Sequence, residues 1–367
     1  MKKILESYYK DGLVYKQTHP TLPLTIWNYT EKVQYENLFK TYPLLLQCRG
    51  LITDNEGNVI VKPISKFFNY EEIISDSEII IPFKDEYVYV QNKEDGSMLI
   101  LFYYDNQWIT ATRGSFTSEQ SIKGMEILKK NYMLETFEKS VAYIGEVIYP
   151  ENRIVVNYKK DEKVMFISTV PNMTYKWGNS DECHWTRSLT YFKMSGIKKK
   201  HIVETKQYFS FDNKLCKDLK KLNTKNKEGF VLRFFPSNFR LKIKFEDYIN
   251  LHRIVSGISN VVIWEQLKDG KSFDKLITKV PDEFYDWVKK TESNLISEYN
   301  VLENEYKIIF SKIKKKVNSD NRKVFAEHAK KYKHSSILFK ILDNVSYEEY
   351  LWKVIRPEYK KPFSEIS

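Results

Sequence analysis

Residues 87–104 read Tyr-Val-Tyr-Val-Gln-Asn-Lys-Glu-Asp-Gly-Ser-Met-Leu-Ile-Leu-Phe-Tyr-Tyr. Aromatic and β-branched side chains crowd both ends, the composition of strands, and Lys93-Glu94-Asp95-Gly96-Ser97 breaks them with a glycine. The stretch predicts strands over 87–91 and 98–104 with a tight junction between them. A lysine at a strand end, followed by glycine, presents its amine without a side chain crowding the backbone beside it. Outward from this pair, runs of the same character at 141–149, 164–170, 228–234 and 240–244 complete an antiparallel or mixed sheet.

The period changes near residue 245. Phe284, Val288, Leu295, Tyr299, Leu302, Tyr306, Ile309, Ile313 and Val317 recur by threes, fours and one seven, one face of a long helix that Pro281 is placed to open. Ser346 with Glu349 has the spacing of a capping box for a last helix that Pro357 ends. The fold class is α+β: a sheet-built domain over 1–245, then an all-helical domain over 246–367.

Composition sets bounds on function. The 367 residues carry 59 Lys plus Arg against 48 Asp plus Glu, a net charge of +11, and 42% are apolar, which excludes a disordered chain. The charge is uneven: residues 193–227 and 307–333 each carry a net +8, so the rest is net negative. Two basic patches on such a body fit a polyanionic partner, although a solvated Lys-rich loop or helix face has the same composition. No apolar run approaches the roughly 18 residues of a membrane span. The start, Met-Lys-Lys-Ile-Leu-Glu-Ser, turns polar too soon for a signal peptide, so the expectation is a cytoplasmic protein away from membranes, and a monomer by default. Cys48, Cys183 and Cys216 form no Cys-x-x-Cys pair, which argues for reduced buried thiols over a disulfide framework or a structural zinc site.

Three downstream elements give the lysine company. Glu146 lies mid-strand in Tyr-Ile-Gly-Glu-Val-Ile, Glu228-Gly229-Phe230-Val231 opens another strand, and Lys242 and Lys244 stand two apart on one strand face. Each has a bland alternative, since a strand Glu is usually on the wet face and alternating Lys usually marks a solvated edge. Their shared order is what outweighs those alternatives.

That series resembles motifs I, III, IV and V of the covalent nucleotidyltransferases, the superfamily of RNA ligases, DNA ligases and capping enzymes. More closely it resembles the bacteriophage RNA ligase 1 family of tRNA-repair ligases. Cys48-Arg49-Gly50, Lys66-Phe67-Phe68-Asn69, Gly114-Ser115, Ser118-Glu119-Gln120, Asn152-Arg153-Ile154-Val155, Tyr248 and Leu251-His252 extend the likeness over about residues 26 to 253. The resemblance implies a nucleotidyltransferase domain that uses ATP and Mg2+, with Mn2+ able to substitute. It implies that Lys93 forms a lysyl-AMP adduct, passes AMP to an RNA 5′-phosphate, and lets a 3′-hydroxyl seal the break. Lys93 must be neutral to attack, so nearby cations are expected to favour that form, and Lys242, Lys244, Arg49 and Lys66 are expected to offset phosphate charge.

The implied nucleotide contacts are Tyr29, Arg49, Lys66, Phe68, Glu146, Lys242 and Lys244; the implied metal ligands are Glu146, Glu228 and Asp269, the last from Leu267-Lys268-Asp269-Gly270, which also reads as a glycine-capped helix end. Asp95, Gly96, Arg113 and Tyr248 match further family positions, with Arg113 standing where the family has Lys. The helical tail implies tRNA with a broken anticodon loop as substrate. Gly270-Lys271-Ser272 lacks the glycine a P-loop needs, Glu265 being there instead, so end healing falls to a separate kinase or phosphatase. The rivals are an RNA-binding protein with an inactive nucleotidyltransferase fold, and a DNA ligase or capping enzyme, which would follow the motifs with a β-barrel.

Overall fold

The computed structural model describes residues 1–75, 86–175, 185–222, 224–271, 273–277, 280, 284–317 and 322–360. Its chain divides into two compact units, Met1–Val255 and Ser256–Ser367. The helix Glu246–Ser256 falls in the first unit except for its last residue, so the division comes ten residues later than the change of period at 245. Packing accounts for the difference: Phe245 and Tyr248 share a buried cluster with Val155 and Val156.

Among the described residues, the first unit holds thirteen strands in three sheets. β1 (Val14–Thr18), β2 (Leu24–Tyr29), β3 (Arg49–Asp54) and β4 (Val59–Val61) follow one another across the first sheet. The strands β5 (Phe68–Asn69), β6 (Tyr87–Lys93), β7 (Ser97–Tyr104), β8 (Gln107–Ala111), β9 (Val141–Ile148), β10 (Lys163–Pro171), β11 (Thr205–Tyr208), β12 (Gly229–Phe235) and β13 (Arg240–Lys244) build the other two. Their orders are β10-β9-β7-β8 and β11-β6-β12-β13-β5, antiparallel throughout except for β5 beside β13.

The near-continuous apolar run of β7 has a plain cause: both of its faces are buried. Leu99 and Leu101 pack with Ile127, Leu128 and Phe192 from helices on one side. Met98, Ile100 and Phe102 pack with Leu24, Ile26 and Ile52 of the first sheet on the other. On one face of the third sheet Val88, Val90, Leu232, Leu241 and Ile243 meet Cys216 and Leu219 of the helix Asn213–Lys221. Polar side chains cap two helices of this unit, Glu119–Asn131 and Asn213–Lys221, where the Ser118 and Asp212 oxygens accept from Ser121 N–H and Leu215 N–H.

In the second unit the helix Tyr285–Val317 buries Val288, Leu295, Tyr306, Ile309 and Ile313, the face set by the apolar spacing. Tyr306, Ile309 and Ile313 pack with Phe325, Ile337, Leu338 and Leu351 from the helices that follow. Pro281 lies outside the described residues. The capping box at Ser346 is corrected: Tyr347 is the N-cap of Glu348–Val354, with no side-chain cap. The Tyr347 hydroxyl donates to Glu303 Oε1 of the long helix at 3.0 Å. No helix among the described residues is long and apolar enough to cross a membrane. Cys48 and Cys216 are buried free thiols, each pushed up to about 12 by burial, and Cys183 lies outside the described residues.

Candidate active site

The register of the third sheet builds the site. Lys93 ends β6 opposite Gly229 of β12, and Gly229 stands opposite Lys244 of β13. One row along, Gln91, Val231, Lys242 and Asn69 align in the same way. Alternation then puts Lys93, Lys242 and Lys244 on the face opposite the apolar core. Gly229 is required by close approach: a Cβ there would lie 2.0 Å from Ile243 O and 2.8 Å from Lys244 Cα. The three strands close up around it, and the Glu228 carboxylate receives Lys93 Nζ at 2.8 Å and Lys244 Nζ at 3.6 Å. Glu228 is 3% exposed, so this paired charge sits in a poorly screened environment.

Glu146 enters from the second sheet, opposite Met98. Burial pushes its carboxyl up to about 7, Glu228 and Asp95 push the same way, and Lys93 and Arg49 oppose them. These four charged groups thereby act on Glu146 electrostatically. Arg49 is aimed by donating to Ile64 O and by its contact with Met98 Sδ at 3.1 Å. Gly96 keeps the junction close to β9, because a Cβ on it would meet Val147 O at 2.6 Å and Glu146 Cγ at 3.1 Å. Its glycine is a matter of space against β9.

Asp95 is 3% exposed and has its oxygens filled. Oδ2 accepts the backbone N–H groups of Val155 and Val156 at 2.8 and 2.7 Å, and Oδ1 accepts the Tyr248 hydroxyl at 2.9 Å. Lys244 Nζ lies 5.4 Å from the Tyr248 ring centroid, which closes a loop of contacts from Lys93 through Glu228, Lys244, Tyr248 and Asp95 back to the junction. Asp95 is therefore a holder of backbone.

The remaining expected residues are placed as follows. Lys66 and Lys242 are 8% and 6% exposed, and Lys66 Nζ lies 5.2 Å from the Phe68 ring centroid. Tyr29 is buried in the apolar cluster of the first sheet, edge-on to Phe39, which is edge-on to Phe68. Arg113 lies over the Tyr29 ring at 5.9 Å. The structure thus brings together Lys93, Asp95, Gly96, Glu146, Glu228, Lys244, Tyr248 and Arg49, with Lys242 one row away. The Tyr29 backbone N–H donates to Cys48 O, beside Arg49, at 2.7 Å. Asp269 belongs to the second unit, where it is the C-cap of Asn260–Lys268 and pairs with Lys271 at 2.5 Å. Among the described residues, no three His, Cys, Asp or Glu stand close enough to hold a metal ion by themselves.

Two residues at the site escaped sequence reasoning. The Tyr158 hydroxyl donates to Glu94 Oε2 and accepts Asp95 N–H, both at 2.9 Å, and burial, then Glu94, hold that hydroxyl in its protonated form. Asn226 sits two residues before Glu228 with φ at 58°. An asparagine among lysines before Glu-Gly is a weak turn signal, and a tyrosine beyond Ile-Val-Val carries none. A cavity of about 130 Å³ opens beside Lys93 between Tyr158, Asn226 and Lys227.

A family model described as RNA ligase matches residues 47–248. The RNA ligase of Rhodothermus phage RM378 is 26% identical in an alignment that covers 92% of this chain and 89% of that protein. An Aquifex aeolicus chain provisionally described as an ATP-dependent DNA ligase aligns with 94% of this chain and 100% of its own, at 13% identity and a TM-score of 0.48. A variant of Naegleria gruberi RNA ligase solved with ATP and Mn aligns with 46% of this chain and 51% of its own, at 14% identity and a TM-score of 0.37.

Proposed function

Because the chain belongs to the RNA ligase family, whose model spans 55% of it, we propose that it is an ATP-dependent RNA ligase joining 5′-phosphate and 3′-hydroxyl ends. The observation that carries the proposal is Glu228 held between Lys93 and Lys244 at the end of three registered strands. A binding surface has no use for a partly accessible amine aimed at a buried carboxylate.

In the proposed reaction Lys93 Nζ, having released its proton, attacks the α-phosphorus of ATP. The bond to the β-phosphate breaks, pyrophosphate leaves, and AMP stays on Lys93. A 5′-phosphate oxygen of RNA then attacks that phosphorus and frees Lys93. Finally a 3′-hydroxyl attacks the activated 5′-phosphate and AMP departs. Lys244, Lys242 and Arg49 are the cations available to offset charge on the phosphates as each bond is exchanged. Glu228 and Glu146 supply hard oxygen donors, which fits a Mg2+ or Mn2+ ion shared with substrate phosphates, since such ions take few protein ligands. That ion would supply charge neutralisation on the phosphate oxygens. Asp269 is assigned no part in this step.

The proposed RNA is a tRNA broken in its anticodon loop, with the helical second unit selecting it and a separate kinase or phosphatase preparing the ends. Incubation with labelled ATP and Mg2+ or Mn2+, after stripping pre-bound AMP, tests the core of the reading. A protein-bound, acid-labile AMP adduct absent from Lys93→Ala supports it, and no adduct in the stripped wild type would overturn it. Lys93→Ala should still seal RNA that already carries a 5′-adenylate, whereas Lys242→Ala should fail there as well.

A further inference from the structure

One short loop touches both sides of the Lys93–Glu228 pair. Val155 and Val156, 4–9% exposed, give their backbone N–H groups to Asp95, two residues after Lys93. The next residue, Asn157, gives its backbone N–H to Asn226 Oδ1 at 2.7 Å and accepts Asn226 Nδ2 on its backbone oxygen at 3.0 Å. Asn226 stands two residues before Glu228. The residue after Asn157, Tyr158, returns through its hydroxyl to Glu94 and Asp95. Three consecutive residues after Val155 thus bind, in turn, the junction, the lead-in to β12, and the junction again.

The choice of residue at 226 fits this task. Its φ of 58° is adopted easily by Gly and, among side-chain-bearing residues, best by Asn or Asp. Only Asn among these also offers an acceptor and a donor together, as the two bonds to Asn157 require. Asn226 is exposed, so its hydrogen bonds are shared with water and contribute little to global stability. Bonds too weak to hold the fold are still strong enough to set the position of the segment they end on.

We infer that Asn226 is a positioning residue of the adenylylation step: by hanging the Glu228 segment on the loop that also fixes Asp95, it sets the separation of Glu228 from Lys93. The inference rests on the ligase reading, and on the Lys93 adduct in particular. It needs no contact between Asn226 and substrate.

The test compares Asn226→Gly, which keeps the backbone conformation and loses both bonds, with Asn226→Asp, which keeps the acceptor for Asn157 N–H. Adduct formation in Asn226→Gly should fall about tenfold, a loss of the size that small misplacement of reacting groups produces, with KM for ATP changed by less than about twofold. Asn226→Asp should recover most of that rate. Melting temperatures of both variants should stay within a few degrees of wild type, and amide hydrogen exchange at residues 157 and 226–228 should accelerate only in Asn226→Gly. Wild-type adduct together with an unchanged rate in Asn226→Gly overturns the inference and leaves the ligase reading standing. A rate loss that Asp does not recover, or that tracks a large fall in melting temperature, also overturns it. No adduct in wild type overturns the ligase reading first, and faster exchange in Asn226→Gly would then show the brace without its catalytic role.

Discussion

Burial raises the Glu146 carboxyl into the neutral range. It titrates near 7 in the ligand-free fold against an ordinary value of 4.5. The folded state therefore binds a proton more tightly than the unfolded chain does. Stability from that proton is complete below the ordinary value and is lost as pH rises from about 4.5 through 7. Glu146→Gln removes the titration while keeping the shape. The melting temperature of the variant minus that of the wild type should grow by several degrees between pH 5 and pH 8, at roughly 2–4 °C per kcal/mol. Thermal denaturation of ligand-free protein at both pH values checks it, and a constant gap would refute the assignment. At this scale the sequence pointed at Lys93, Glu146 and Glu228 through order alone. Tyr158 and Asn226 were illegible because their roles are hydrogen bonds across 64 and 69 positions of sequence.

At the scale of elements, β12 governs the site, and Gly229 governs β12. In Gly229→Ala the new Cβ would meet the backbone of β13, which cannot move without breaking the pairing that aligns Lys244 with Lys93. A loss of about 3 kcal/mol, the upper range for forced overpacking, is expected, together with loss of the Lys93 adduct. Denaturant unfolding alongside the labelling assay measures both, and an Ala variant with wild-type stability would contradict the close approach. The six strands legible in the sequence are runs rich in aromatic and β-branched residues. In the first sheet, which the sequence reading left out, Val14–Thr18 is buried at one residue and owes its form to pairing, whereas Leu24–Tyr29 and Arg49–Asp54 are largely buried. Lys198, Lys199 and Lys200 are all exposed beside the helix Trp185–Met194. Neutralising the three should weaken RNA binding and flatten its salt dependence while the rate of adduct formation stays near wild type; an unchanged salt slope would remove them from the RNA surface.

At the scale of the molecule, the first unit holds the residues proposed for catalysis, Lys93, Glu146, Glu228, Lys242 and Lys244, and its own cores, so residues 1–255 are expected to fold and, on the proposed mechanism, to form the Lys93 adduct. If the second unit selects tRNA, that fragment should seal generic single-stranded RNA and lose its preference for broken tRNA. Rate comparison on the two substrates decides it, and an undiminished preference would reassign selectivity to the first unit. The second basic run lies on exposed positions such as Lys307, Lys312, Lys315 and Lys316 of the long helix, consistent with a charged outer face.

The sequence by itself determined the nucleophile candidate, the order of the motif residues, the strand character of six segments and the amphipathic face of the long helix. Those properties are local: residue type, alternation and helical period act over a few neighbours, and a sequence displays them directly. Only the tertiary structure decided that Lys93, Gly229 and Lys244 share a row, that Asp95 is spent on holding backbone, and that Asn226 ties Glu228 to the loop behind Lys93. Those facts depend on strand register and on contacts between segments far apart in the chain, which packing of whole sheets fixes and no short stretch of residues encodes.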